Sequence, residues 1–125
     1  WFNNYAFTLS GLKIDLDLAR EYGEKALQLA SQADRQFALR TLGVVHLARK
    51  EPETAIERLD AALRERQHLR PGDIEFTRYH LARAFLDLGR EREAKGQLQL
   101  IESGRTLYAE KARALMREIA PSAAA

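Results

Sequence analysis

Apolar residues recur every three to four positions along most of the chain, which is the spacing of one face of an α-helix. The clearest stretch, residues 39–63, has one apolar face before Lys50-Glu51 and another after Pro52. Proline has a fixed φ and no N–H, so it suits the first turn of a new helix. The first face comprises Leu42, Val45 and Leu47, and the second comprises Ala55, Ile56, Leu59, Ala62 and Leu63. This stretch predicts a helical hairpin.

The same pattern occurs upstream and downstream of the central hairpin. Ala19, Ala55 and Ala94 occupy matching positions at intervals of 36 and 39 residues, and a second set of positions shows the same two intervals. The second set is Ala26, Ala62 and Ile101. A single hairpin cannot bury both of its apolar faces, so neighbouring hairpins should stack on one another. We therefore expect one domain over residues 1–120, with hairpins at about 1–33, 34–70 and 73–103.

Capping residues predict where individual helices begin. Asp15, Asp34 and Asp73 each precede an apolar-periodic segment and can accept a hydrogen bond from the first turn. Pro71-Gly72 predicts a turn, and the helix before it is expected to continue to about His68. Gly89 is expected to end the fifth helix, and Ser103-Gly104 the sixth, which runs from about Glu91 to Glu102.

A seventh helix is predicted from residues 105 to 120. One of its faces is apolar and the other carries charged residues, as the terminal helix of a stack of repeats requires. Pro121 and the short residues after it offer little to pack, so we expect residues 121–125 to be a disordered tail.

The period and the residues within it resemble the tetratricopeptide repeat, whose pattern is W-x2-L-G-x2-Y, then A-x3-F, over about 34 residues. The central repeat supplies Leu42-Gly43, Ala55 and Leu59, and the resemblance covers residues 1 to about 102. His46 and Arg78 stand where this family usually has bulky or aromatic residues, and no repeat has the closing proline. The resemblance implies an all-α fold of about seven helices, an α-solenoid of antiparallel hairpins in a right-handed superhelix.

In function, the resemblance implies a non-catalytic scaffold or adaptor that binds a peptide or helix of a partner protein. The first helix of each pair would line a concave groove. Carried over position by position, the groove residues are Asn3, Phe7, Phe37, Arg40, Val44, Phe76, Tyr79 and Arg83. Aromatic residues with two arginines favour a partner segment that has apolar anchors and an acidic residue or two. Alternatively, Phe37 and Phe76 fill the repeat core.

The family's carboxylate clamp for chaperone tails uses Lys, Asn and Arg at five inner positions. Here those positions hold Asn3, Phe7, Thr41, Phe76 and His80. The chain therefore lacks the clamp, which argues against a role as a chaperone co-factor.

The first helix opens on an apolar face with no polar helix before it. That face comprises Trp1, Phe2, Tyr5 and Leu9. Because soluble monomers avoid such patches, two alternatives to peptide binding follow. The chain could be a homodimerisation module, or it could be the C-terminal fragment of a longer repeat protein that serves in the assembly of a larger complex.

Composition narrows the classes of function. Lys and Arg total 20 against 18 Asp and Glu, which describes a mixed charged surface and argues against nucleic-acid binding, including by helical repeats that read RNA. No apolar run reaches the ~18 residues of a membrane span, so membrane insertion is not expected. Neither the lack of Cys nor the absence of a signal peptide decides between a cytoplasmic and a periplasmic location.

The sequence carries no recognisable catalytic or cofactor-binding motif. The three histidines, His46, His68 and His80, have no second ligand at metal-site spacing, and the glycines form no phosphate-binding or nucleophile motif. We expect no metal, no cofactor and no enzymatic activity. A plain helical bundle is the rival fold.

Overall fold

A computed structural model describes residues 2–13, 15–65 and 69–124, except for the side chains of Tyr5 and residues 120–124. These residues form seven α-helices and no strand, which confirms the predicted all-α class. The helices are α1 (Phe2–Leu12), α2 (Leu16–Leu29), α3 (Arg35–Ala48), α4 (Pro52–Arg64), α5 (Pro71–Asp87), α6 (Glu91–Gln99) and α7 (Leu107–Ala124).

The helices pack in consecutive pairs. α1 contacts α2, α3 contacts α4, and α5 contacts α6, while α2–α3 and α4–α5 contacts join each pair to the next. The first helices of the pairs also touch one another, α1 to α3 and α3 to α5, and α7 packs against α5 and α6. Helices α1, α3, α5 and α7 therefore form a row, called here the inner row.

Small residues at the crossings let the paired helices approach closely. Ala6 and Ala19 in the first pair, Ala55 in the second, and Ala82 and Ala94 in the third are all fully buried. Large leucines fill the space between helices, and Leu42, Leu59 and Leu98 are also fully buried. In this core, alanines permit close contact of the helices and leucines fill the space between them.

The predictions for the starts of α2 and α4 are correct, whereas the predicted cap of α3 is wrong. Asp15 caps α2, because its Oδ1 accepts a hydrogen bond from the Leu18 N–H at 3.1 Å. Pro52 is the first residue of α4, as predicted. Asp34 occupies the N-cap position of α3 without capping it. Its backbone is already helical, with φ −95° and ψ −7°, and its Oδ2 accepts from the Ser31 hydroxyl at 3.0 Å.

The connection between α4 and α5 differs most from expectation. α4 ends at Arg64, before the predicted end at His68, which lies outside the described residues. Pro71 begins α5 instead of forming a turn, because its fixed φ fits the first helical position. Asp73 therefore lies inside the first turn of α5, where its carboxylate accepts from the Arg70 N–H at 3.4 Å.

The C-terminal helices also differ in length from the prediction. Gly89, with φ +73°, follows α5 and ends it as expected. α6 is shorter than predicted. It ends at Gln99, and residues 100–103 form a turn. The Thr106 hydroxyl caps α7 by accepting from the Ala109 N–H at 3.1 Å. α7 continues past Ala120 into the predicted disordered tail, where the φ of Pro121 and the alanines after it are compatible with a helix.

Candidate functional site

The inner row carries the residues predicted to line the groove. Asn3 and Phe7 lie on α1, three others on α3 and three on α5. The residues on α3 and α5 are Phe37, Arg40, Val44, Phe76, Tyr79 and Arg83. The structure brings them onto neighbouring helices of one row but not into one continuous groove. A cluster of rings separates two clefts.

The ring cluster is centred on Phe76 in the N-terminal part of α5. The Phe76 ring is 7% exposed and contacts His80, Tyr108 and Phe7 at centroid distances of 4.2, 4.8 and 5.8 Å. Phe7 belongs to the first pair of helices and Phe76 to the third. Phe76 therefore fills space within the row, in keeping with the alternative that this residue is part of the core.

Arg40 lies in the inner row, but its charge is already compensated. Its guanidinium donates to Asp73 Oδ1 at 2.7 Å and lies over the rings of Phe37 and Phe76, at 5.4 and 4.8 Å from their centroids. Only 16% of the side chain is exposed. Arg40 thus joins the second pair of helices to the third, which differs from the expected role of an arginine available to an acidic partner.

One cleft, the apolar cleft, has a volume of about 650 Å³ and lies between α1, α2 and α3. Its lining includes Phe2, Asn3, Asn4, Leu29, Phe37 and Arg40. Leu29 is 64% exposed and Phe37 is half-buried. The Asn3 Oδ1 atom is buried, and no described residue donates a hydrogen bond to it. The apolar cleft thus combines exposed hydrocarbon with side-chain amides.

The other cleft, the basic cleft, has a volume of about 310 Å³ and lies toward the C-terminal ends of α1, α3 and α5. Its lining contains four cations and one carboxylate: Lys13, Lys50, Arg83, Lys111 and Asp87. Among the described residues, none of the four cations has a carboxylate within ion-pair distance. The basic cleft therefore has an excess of positive charge.

His80 also lines the basic cleft, at its border with the ring cluster. Its Nδ1 donates to the Phe76 carbonyl oxygen at 2.9 Å. Burial, together with the positive charges of Arg83, Lys111 and Arg40, lowers the pKa of His80 from 6.5 to about 4. His80 is therefore neutral at pH 7, with Nε2 as the nitrogen that accepts hydrogen bonds.

The predicted self-association face is only partly described. Trp1 and the side chain of Tyr5 lie outside the described residues. The ring of Phe2 stacks on Tyr22 of α2, with centroids 5.6 Å apart, and Leu9 is half-buried. Phe2 thus contributes to the contact between α1 and α2.

Sequence reasoning missed three of the four cations of the basic cleft: Lys13, Lys50 and Lys111. A signal was present for two of them. Lys13, Lys50 and Gly89 follow the first helices of the three pairs, and all three have positive φ, at 56°, 65° and 73°. Comparison of the repeats at this turn position would have shown that two lysines lie at the same end of the row.

No three His, Cys, Asp or Glu side chains in the described part of the chain are grouped closely enough to hold a metal ion. None of its helices is long and apolar enough to cross a membrane. Comparison of the sequence and structure with protein-family models, curated proteins and solved structures finds no match.

Proposed function

We propose that the chain is a non-catalytic protein–protein interaction module of the tetratricopeptide type, which binds a segment of a partner along its inner row. The apolar cleft carries this proposal, because it exposes Leu29 and Phe37 beside the amides of Asn3 and Asn4. The sequence repeat and the packing of α1, α3 and α5 side by side also support it.

The lining of the apolar cleft suits an apolar anchor on an otherwise polar segment. An aliphatic or aromatic side chain of the partner would contact Leu29 and Phe37, while the asparagine amides would hydrogen-bond its backbone. Arg40 is already paired with Asp73, so it contributes to the wall of the cleft through its stem and its contact with Phe37.

Selection from a library of random peptides displayed on phage tests the proposal. We expect the enriched peptides to share an apolar residue and Leu29→Asp to abolish their binding. Leu100→Asp is the matched control, because Leu100 is 63% exposed but lies just after α6 and lines neither cleft. A library with no enriched peptide would contradict the proposal, as would equal binding by Leu29→Asp and the unmodified chain.

Association of two copies is a second candidate function. Leu12 and Leu29 of the first pair of helices are 63% and 64% exposed. Association of two copies through the first pair of helices could bury either leucine on each copy. Light scattering tests this candidate, which predicts twice the 14.2 kDa mass of one chain and a return to one mass in Leu12→Asp with Leu29→Asp.

A further inference from the structure

We propose that the basic cleft is an acid-binding subsite for the same partner segment, so that the inner row recognises an apolar anchor at one end and acidic side chains at the other. This inference rests on the proposed function and adds the chemistry and spacing of the partner. The sequence analysis assigned acid recognition to Arg40 and Arg83. The present inference assigns it to the four cations of the basic cleft, which lie on or just after the four helices of the inner row.

The basic cleft brings four cations, none with an ion pair among the described residues, to one cavity. Six arginines elsewhere are paired with carboxylates, namely Arg35, Arg40, Arg49, Arg58, Arg64 and Arg90. The four cations of the basic cleft have only Asp87 among them, and the same cleft is walled by Val44, Leu47 and Tyr79. In a cleft with apolar walls, an excess of charge of one sign produces a strong electrostatic potential, which attracts ligands of the opposite charge.

Stabilisation of helix ends accounts for only part of this arrangement. Lys13 and Lys50 follow the C-terminal ends of α1 and α3, where a cation interacts favourably with the helix dipole. Lys111 lies in the second turn of α7, far from a helix C-terminus, so this effect does not account for its position. Its ammonium lies 5.3 Å from the centroid of the Tyr108 ring, which holds it beside the basic cleft. Binding of an anionic ligand accounts for the position of all four cations at this cleft.

The distance between Phe37 and Leu47 gives an approximate spacing for the partner's residues. Phe37 of the apolar cleft and Leu47 of the basic cleft are ten residues apart on α3, which corresponds to about 15 Å along the helix. An extended peptide covers that distance in about five residues, at ~3.3 Å each. The segment would cross the ring cluster, where Phe7 is 38% exposed. We therefore infer a motif with an apolar residue and one or more Asp or Glu about five positions away.

The peptide selection provides the test. Peptides enriched on the unmodified chain should carry Asp or Glu about five positions from the apolar residue, and their affinity should fall as NaCl is raised. By fluorescence anisotropy, Lys13→Glu with Lys50→Glu should weaken the best acidic peptide by about tenfold or more. Arg92→Glu with Lys95→Glu, which makes the same change of charge on α6, should leave that affinity unchanged.

Lys111→Glu is an independent variant, because it alters a different helix and no turn. It should also weaken the acidic peptide, while a peptide with Asn and Gln in place of Asp and Glu should bind all the variants equally. Enriched peptides without acidic residues would overturn the inference and leave the apolar cleft as the binding site. A selection without any enriched peptide would overturn both proposals.

Discussion

Gly43 on α3 faces Leu59 on α4 so closely that a Cβ atom on residue 43 would overlap the Cγ and Cδ2 atoms of Leu59. Leu59 is fully buried and belongs to the main hydrophobic core, so any shift of its side chain presses on other core residues. We therefore predict that Gly43→Ala destabilises the fold by roughly 1–3 kcal/mol through overpacking, despite the higher helix propensity of Ala. Urea denaturation followed by circular dichroism measures the effect. Ala55→Leu, at a fully buried position of the same pair, should do the same.

Gly96 provides the matched control for Gly43. It lies within α6, it is exposed, and a Cβ atom added there would have nothing within 4 Å. Gly96→Ala should therefore raise the free energy of unfolding, by up to ~1 kcal/mol, because Ala restricts the unfolded chain and favours the helix. Equal effects of the two substitutions would contradict the close packing of α3 on α4.

The ion pair between Arg40 and Asp73 predicts a structural role for Arg40. Arg40→Ala leaves the half-buried Asp73 without its partner, so we expect a loss of roughly 1–3 kcal/mol. Arg83→Ala, at an exposed arginine two turns of α5 away from Phe76, should change stability by less than ~0.5 kcal/mol.

A double-mutant cycle separates this ion pair from the contacts of Arg40 with the rings. Asp73→Ala and the double variant complete the cycle, and the coupling energy should be favourable, on the order of 1 kcal/mol. A coupling energy of zero would show that Arg40 acts only through Phe37 and Phe76.

Burial of His80 predicts a loss of stability in mild acid. Its pKa is about 4 in the folded chain against 6.5 ordinarily, so the unfolded chain binds a proton first as the pH falls. This stabilisation is complete above pH 6.5 and disappears as the pH falls to 4. The loss should be on the order of 2 kcal/mol. Urea denaturation at several pH values should show a smaller loss in His80→Gln than in the unmodified chain, and equal losses would contradict the pKa of His80.

Glu51 is expected to titrate far below its usual range. Hydrogen bonds from Arg49 at 2.8 Å and from His46 at 2.9 Å lower its pKa from 4.5 to about 2. The stabilisation from this carboxylate is therefore present above pH 4.5 and is lost as the pH falls toward 2. An NMR titration of the side-chain carboxyl carbon measures this pKa directly.

Arg49→Ala should raise the pKa of Glu51 toward 4.5, because Arg49 is the main cause of the shift. Arg64→Ala removes another arginine that pairs with a carboxylate but does not touch Glu51, so the pKa should stay near 2. An unchanged pKa in Arg49→Ala would rule out the hydrogen bond.

The helices could be predicted because each signal lies within one segment. The apolar spacing around Pro52 and the glycine at 89 are local features, and they mark the start of α4 and the end of α5 correctly. Pro71 was misread because a proline supports either a turn or a first helical position, and the choice depends on contacts beyond the local sequence. One such contact, from Asp73 to Arg40, spans 33 residues.

The candidate site was harder to predict because its residues meet only after the helices pack. The repeat register placed all eight groove residues on α1, α3 and α5. It could not show that Phe7 would contact Phe76 and divide the row, or that Lys111 of α7 would join Lys13 at one cleft. These contacts depend on the angles at which the helices pack. The spacing of residues along one helix does not determine those angles.

The contact between Phe7 and Phe76 also bears on how the chain unfolds. When each pair of helices touches only its neighbours, the terminal pairs can fray while the rest stays folded. Here the Phe7 ring of the first pair packs on the Phe76 ring of the third pair. Unfolding of either pair therefore removes a contact that stabilises the other. The consequence is cooperativity: the first pair should melt together with the third, and its slowest amide protons should exchange with solvent at rates close to those of α5.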